Sequence, residues 1–235
     1  MMKRQDSARM TEIMENLAPI SNLLTEEQIK ELQYHIRIRK LKKNEVLYKE
    51  GDVPQFFHCL INGKVKVCRD GVGGRSQIVR IVKPVEFFGY RAYLANENYI
   101  TSAVAFEPAI LYLIPMQIFD KWIKTNLQLA NYFVRFLAVG LGVSDRRVVN
   151  LTQKHVRGRL AESLLVLKDT YGLEEDNQTI AARMSREDLA SLSNMTTSNA
   201  IRTLSAFCSE GILAVDGRKI TILDEDQLKK VSKIG

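Results

Sequence analysis

Two capped helices followed at once by a hairpin dominate the stretch from Met184 to Leu223, and few folds accommodate that order. Ser185 precedes Arg186-Glu187-Asp188, a start signal in which the hydroxyl takes up an orphan backbone amide. Asp188, three residues on, completes a variant of the capping box. Leu189 and Leu192 give this short helix an apolar face. Ser193-Asn194-Met195 predicts a tight turn, because Asn tolerates left-handed backbone. Thr196 then caps a second helix, with Ala200, Ile201, Leu204 and Phe207 expected inward and Thr197, Ser198, Asn199 and Arg202 outward. Gly211 ends it. Two β runs, 212–215 and 219–223, flank Asp216-Gly217, a strong hairpin signal. Such a helix pair with a hairpin beside it is a winged helix-turn-helix, which presents its second helix to a DNA major groove.

The outward set suits that task. A merely solvated helix face carries Glu and Lys, whereas Thr197, Ser198, Asn199 and Arg202 are short hydroxyl and amide groups plus one planar fork. Arg202 is the candidate base reader, since a guanidinium bonds both major-groove acceptors of guanine. Thr197 and Ser198 can meet base edges or phosphates. Arg183, Arg186, Arg218 and Lys219 are candidate phosphate anchors, together with the helix starts at Ser185 and Thr196.

Net charge alone carries no such argument. The chain is formally +7, with 34 Lys and Arg against 27 Asp and Glu. From Lys154 onward there are 12 of each, so the remaining 22 basic and 15 acidic residues (22 − 15 = +7) place the whole excess in the N-terminal part. The DNA reading rests on side-chain direction, not on a basic composition. Hydrophobic content of 46% and charged content of 26% are those of a soluble globular chain. No apolar run is expected to reach the ~20 residues of a bilayer span, and Lys3-Arg4 precede no apolar signal core. A cytoplasmic protein without membrane contact is the expectation. Cys59, Cys68 and Cys208 are scattered and odd in number, which predicts neither a disulfide framework nor a metal knuckle. Cys59 and Cys68 read as small apolar strand residues.

Four segments follow: an arm at 1–20, polar and mobile with a helical turn or two; a β-roll at 21–125; a long helix at 126–153; and the winged domain at 154–235. Thr25 caps a short helix. From His35 to Ile114 short strands alternate with turn signals at Asn44, Gly51-Asp52, Asn62-Gly63, Gly71 to Gly74, Pro84, Gly89 and Pro108, the pattern of a sandwich or roll. In the long helix Phe133, Leu137, Gly140, Ser144, Arg147 or Val148, and Leu151 recur at three to four residues, close to a heptad seam. About 28 residues at ~1.5 Å each make ~40 Å, long for one small domain to cover. Gly140 and Gly142 predict close approach by another backbone or a ligand. A dimer helix is the preferred reading over a core helix of its own domain; a two-fold dimer sets two recognition helices ~34 Å apart, one turn of duplex.

The order β-roll, long helix, winged helix-turn-helix resembles the cyclic-AMP receptor protein and fumarate-nitrate regulator (Crp/Fnr) family over residues 20–235. The resemblance is carried by Gly51-Asp52 to Gly63-Lys64-Val65-Lys66-Val67, Phe88-Gly89, Ser102-Ala103, Gly158-Arg159-Leu160-Ala161 and the motif from Met184 to Leu204. It implies an α+β protein: a jelly-roll-like double-stranded β-helix sensor, a dimerisation helix through Phe133, Leu137, Gly140, Val148 and Leu151, and a DNA-binding domain. Its implied partners are a second copy, a palindromic duplex operator and RNA polymerase. Base readers would match Thr197, Ser198 and Arg202, of which only Arg202 keeps the usual type.

The effector region departs from the family pattern. Members that bind cyclic AMP carry Gly-Glu and Arg-Ser pairs; here Tyr90 follows Gly89 and Thr101 precedes Ser102. Without that Arg a cyclic phosphate lacks its bidentate partner, and an unpaired buried anion costs several kcal/mol. Cyclic AMP is therefore not expected. Residues 1–57 hold no Cys, so the iron–sulfur branch is not expected either. By position the pocket would be lined by Gly89, Tyr90, Thr101 and Ser102, with Ser144 and Asp145 on the long helix. Haem, sensing nitric oxide or redox stress through His35, His58, His155, Met116 or Cys68, is one candidate occupant, although for each histidine the structural hydrogen-bonder is the stronger reading. The alternatives are a different organic anion, or a regulator with no effector and controlled by abundance. The alternative function is a signalling module whose β-roll binds a partner protein and whose helical domain reads no DNA. An enzyme is not expected: no nucleophile–base set, metal-ligand spacing or phosphate loop is present, and Gly71-Val72-Gly73-Gly74 lacks the Lys and helix of such a loop.

Overall fold

The computed structural model describes residues 10–71 and 74–234. The Lys3-Arg4 segment and the Val72-Gly73 tip of the expected glycine hairpin lie outside the described residues. The chain divides into two units, residues 1–67 with 82–140 and residues 68–81 with 141–235.

The first unit is built on period-two strands. Two four-stranded sheets run in the orders β1-β8-β3-β6 and β2-β7-β4-β5. Their strands are β1 (Arg37–Leu41), β2 (Val46–Tyr48), β3 (Phe56–Asn62), β4 (Val65–Asp70), β5 (Ser76–Val82), β6 (Glu86–Phe88), β7 (Ser102–Ala105) and β8 (Ala109–Pro115), of which the end of β4 and nearly all of β5 belong to the second unit. In β3, Phe57 and Cys59 join one core, while Leu60 joins the other. In β8, Tyr112 and Ile114 part from Leu111 and Leu113 in the same way. Successive strand side chains face opposite ways, so one sheet feeds two cores. The inner core fills the roll with Leu60, Val65, Val82, Phe88 and Leu111. The outer one, around Phe57, Phe87, Phe119 and Trp122, is covered by helices.

Those helices include α1 (Ala18–Ser21), α2 (Glu26–His35), α4 (Met116–Thr125) and the start of α5 (Leu127–Gln153); the short α3 (Tyr90–Leu94) follows Gly89. Thr25 and Gln28 form the reciprocal capping box of α2. Asn126 starts α5 by accepting the Leu129 amide at 3.0 Å while its own amide donates to Leu23 O at 2.6 Å. The arm differs from expectation: Ile13, Leu17 and Ile20 are buried in the outer core. The polar residues between them concealed a three-to-four-residue apolar spacing that pins this segment down. Phe133 likewise packs edge-on against Phe57 and Phe119 and is 3% exposed, so it belongs to its own subunit's core rather than to a dimer seam. Its position on the helix faces the outer sheet, and apolar periodicity cannot separate the two kinds of burial. Cys59 and Cys68 are buried strand residues as expected, and burial lifts the Cys59 thiol to about 12.

The second unit holds α6 (Val156–Tyr171), α7 (Arg186–Leu192), α8 (Thr197–Ser209), the ribbon β9 (Leu213–Asp216) and β10 (Lys219–Ile222), and α9 (Glu225–Ile234). Leu160, Leu164 and Leu167 of α6, Leu189 and Leu192 of α7, Leu204 and Phe207 of α8 and Leu228 of α9 are all buried.

A buried imidazole makes the roll acid-sensitive. His58 stacks on Phe88 with centroids 5.2 Å apart and lies 5.7 Å from Tyr48. Burial pushes its pKa from 6.5 down to about 3, against a backbone hydrogen bond at Phe88 that favours the cation. The unfolded chain therefore takes up a proton that the folded chain refuses. Stability is complete above pH 6.5 and declines as pH falls toward 3. His58→Phe should flatten the pH dependence of the urea midpoint in that window, by up to about 1.4 kcal/mol per pH unit. Equal slopes for both proteins would show that His58 titrates normally.

Candidate nucleic-acid interface

Both helix starts form as their residues dictate. Ser185 Oγ accepts the Asp188 amide at 3.0 Å, and Thr196 Oγ1 accepts that of Asn199 at 3.2 Å. Asn194 takes φ 50° in the turn between them, and Gly211 takes φ 73° where α8 ends. Ala200, Leu204 and Phe207 are buried. Ser198 and Arg202 are exposed, and Thr197 and Asn199 are half-buried beside them. Arg202 Nη2 donates to Asn199 Oδ1, one turn back, which orients the fork along the helix surface. Ile201, expected inward, is 46% exposed. It stands four residues from Thr197 and so shares its outward face. Apolar character alone had assigned it to the core; the buried stripe 200–204–207 leaves no room for it.

The turn is held by a residue that motif reading passed over as a family mark. Arg159 donates from Nε to Ser193 O at 3.0 Å and from Nη2 to Asn194 O at 3.0 Å. Its Nη1 donates to Lys154 O at 3.0 Å and Leu151 O at 3.4 Å. One guanidinium thus serves carbonyls at the ends of α5 and α7, where helix dipoles favour a cation. Arg147 does the same nearby, donating from Nη2 to Leu192 O at 3.1 Å and Ile78 O at 2.6 Å. Its burial lowers its pKa, and these carbonyls replace the lost water. Ser191 completes the support: its Oγ donates to Ser76 O at 2.7 Å and accepts from Ile78 N at 2.8 Å.

The ribbon is antiparallel, with Lys219 opposite Asp216 and a two-residue turn at Gly217-Arg218. Arg218 and Lys219 are exposed. Arg186, the first residue of α7, instead donates from Nη2 to Gly217 O at 2.8 Å, with Nη1 enclosed. Arg183 pairs with Glu174 at 3.2 Å.

In the first unit, Tyr90 is buried beside Phe57, Phe133 and Phe136. Gly89 takes φ 85°, and a Cβ there would overlap His58 Nδ1 and lie 3.2 Å from Tyr99 Oη. Tyr99 stacks on Tyr48 at 3.8 Å. Ser102 Oγ accepts from Glu50 N at 3.0 Å, and Thr101 is half-buried. Arg91, the cation nearest in sequence, is exposed and pairs with Glu97 at 3.1 Å. Ser144 and Asp145 belong to the second unit and are exposed. Among the described residues no group of three His, Cys, Asp or Glu is placed to hold a metal ion.

Helix α5 carries an unpartnered apolar stripe. Val134, Leu137, Leu141 and Val148 are exposed, Leu141 by 64%, and Leu151 is half-buried. No neighbour fills the space above Gly140.

Residues 38–126 match the cyclic nucleotide-binding domain, and residues 158–231 match the Crp-like helix-turn-helix domain. The CRP-like cAMP-activated global transcriptional regulator of Mycobacterium tuberculosis is 22% identical over 80% of this chain and 84% of its own length. FixK2 from Bradyrhizobium japonicum superposes with a TM-score of 0.76 at 22% identity, covering 83% of this chain and 96% of that one. A putative transcriptional regulator of the crp/fnr family from Eubacterium rectale gives 0.78 at 19% identity, over 93% and 99%. At such identities the structural likeness is one of fold.

Replacing Arg159 by Ala removes the donor to four carbonyls at once. It should lower unfolding stability by about 1–3 kcal/mol and speed amide exchange from 193 to 199. Unchanged exchange there would mean that the turn holds itself.

Proposed function

Because the chain belongs to the Crp/Fnr family of transcription regulators, we propose that it works as a homodimer that lays α8 of each subunit into successive major grooves of a palindromic operator. The observation that carries this reading is the outward face of α8: Thr197, Ser198, Ile201 and Arg202 on a helix capped at Thr196 and braced through Arg159. Arg202 reads guanine, Ile201 offers methyls to thymine, and Thr197 and Ser198 meet base edges or phosphates. Amides at the start of α8, Arg218 and Lys219 take the backbone. Cytoplasmic action with RNA polymerase goes with this role.

A second copy is the partner that fits α5. The stripe through Leu137, Leu141 and Val148 continues to Leu151 at coiled-coil spacing. By length and composition α5 would also cross a bilayer, but Arg135, Asp145, Arg146 and Arg147 interrupt it.

The effector is neither cyclic AMP nor an iron–sulfur cluster. Tyr90 lies in the aromatic core where the family's ribose-binding Glu would stand, and no Arg stands at Thr101. Tyr48, His58, Phe88 and Tyr99 form an aromatic cluster in the roll near Gly89. Haem ligation by His58 would require the rings of Tyr48 and Phe88 to move apart.

Arg202→Ala should weaken binding to the specific duplex by about 1–3 kcal/mol and leave random-sequence binding nearly unchanged. Equal loss on both, measured by fluorescence anisotropy, would remove Arg202 from base reading. Leu141→Glu should yield a folded monomer in sedimentation velocity, since a dimer would bury the carboxylate; an unchanged sedimentation coefficient would reject the stripe as the interface.

A further inference from the structure

Arg186 stands where a phosphate anchor is expected, at the start of a helix beside the ribbon, yet its fork points elsewhere. A cation at N1 opposes the helix dipole, so something must hold it there. Nη2 donates to Gly217 O at 2.8 Å, at the tip of the β9–β10 ribbon, and Nη1 is enclosed without a hydrogen-bond partner. The guanidinium thus commits one amine to the tip and keeps the other out of solvent.

The ribbon needs an outside hold. Two strands of four residues are marginal by themselves. Its flank is fixed: Ile180 N donates to Ile220 O at 2.9 Å, Ile222 N donates to Gln178 O at 3.0 Å, and the Thr179 and Thr221 hydroxyls lie 2.8 Å apart. These bonds lie along β10, away from the turn. Arg186 supplies the bond at the turn itself, next to Arg218 and opposite the Asp216–Lys219 pair.

Resting on the DNA-binding reading above, we propose that Arg186 is a positioning residue: it fixes the wing tip so that Arg218 and Lys219 meet the DNA backbone, and does not itself bind phosphate. Its effect on DNA then runs wholly through those two residues. Neutralising a phosphate contact contributes about 0.9 to the slope of log affinity against log salt. With the full-length protein and a labelled random-sequence duplex, Arg218→Ala/Lys219→Ala should reduce that slope by about 3.6, two contacts in each of two subunits. Arg186→Met should approach the same reduction, and adding it to the double variant should change nothing more. A further drop of about 1.8 in the triple variant, one contact per subunit, would show that Arg186 holds its own phosphate and would overturn the proposal.

Amide exchange of the DNA-free protein gives an independent reading. Arg186→Met should speed exchange at 216–219 and leave 197–209 unchanged; equal exchange at the tip would also overturn the proposal. Should Arg186→Met not fold, Arg186→Lys, which keeps the charge but loses the fork, is read in both assays for changes in the same direction. A wild-type chain that binds no duplex at low salt defeats the DNA-binding reading, while the exchange arm still decides whether Arg186 holds the tip.

Discussion

The winged domain depends on one guanidinium. A turn of three residues between two helices leaves carbonyls at the end of α7 with no partner of their own, and Arg159 binds two of them while its other amine reaches the end of α5. Flexible loops would let α8 sample many directions. A planar fork bonded to four carbonyls removes that freedom, because shifting the turn breaks several directional bonds together. The outward face of α8 is thereby held as a surface of fixed orientation, which base reading requires.

The roll shows the opposite economy of polar groups. Its inner space near Gly89 is taken by rings of the chain itself, with Tyr99 stacked on Tyr48 and His58 held neutral between Tyr48 and Phe88. A family frame that can enclose a charged nucleotide is here lined with aromatic carbon, and Tyr90 turns into the outer core. A fold and the ligand it holds are separate matters, and the strands of the roll do not by themselves name an effector.

Local signals were the legible part of this sequence. Ser185, Thr196, Asn194 and Gly211 each act within a few residues of themselves, and each does in the structure what its chemistry predicts. The turn signals from Asn44 to Pro108 likewise mark a domain built of short strands. Side chains that act across the fold were not legible. Phe133 and Leu137 share a periodicity, yet one closes an aromatic core and the other stays exposed, since the helix turns from roll to solvent within a single turn. Arg159 stands only in a family motif and Arg186 among the phosphate anchors, and the carbonyls they serve come near only through tertiary structure. Ile201 erred in the other direction, an apolar residue left outside because three others had filled the face behind it.

Selection of bound sequences from a randomised duplex library with the full-length chain tests the central claim most directly. Two copies of α8 related by a two-fold axis should recover an inverted repeat whose half-site centres lie about 10–10.5 base pairs apart, or a multiple of that. Recovery of a single unrepeated element, or of no enriched sequence, would contradict a dimer that reads DNA through Thr197 to Arg202.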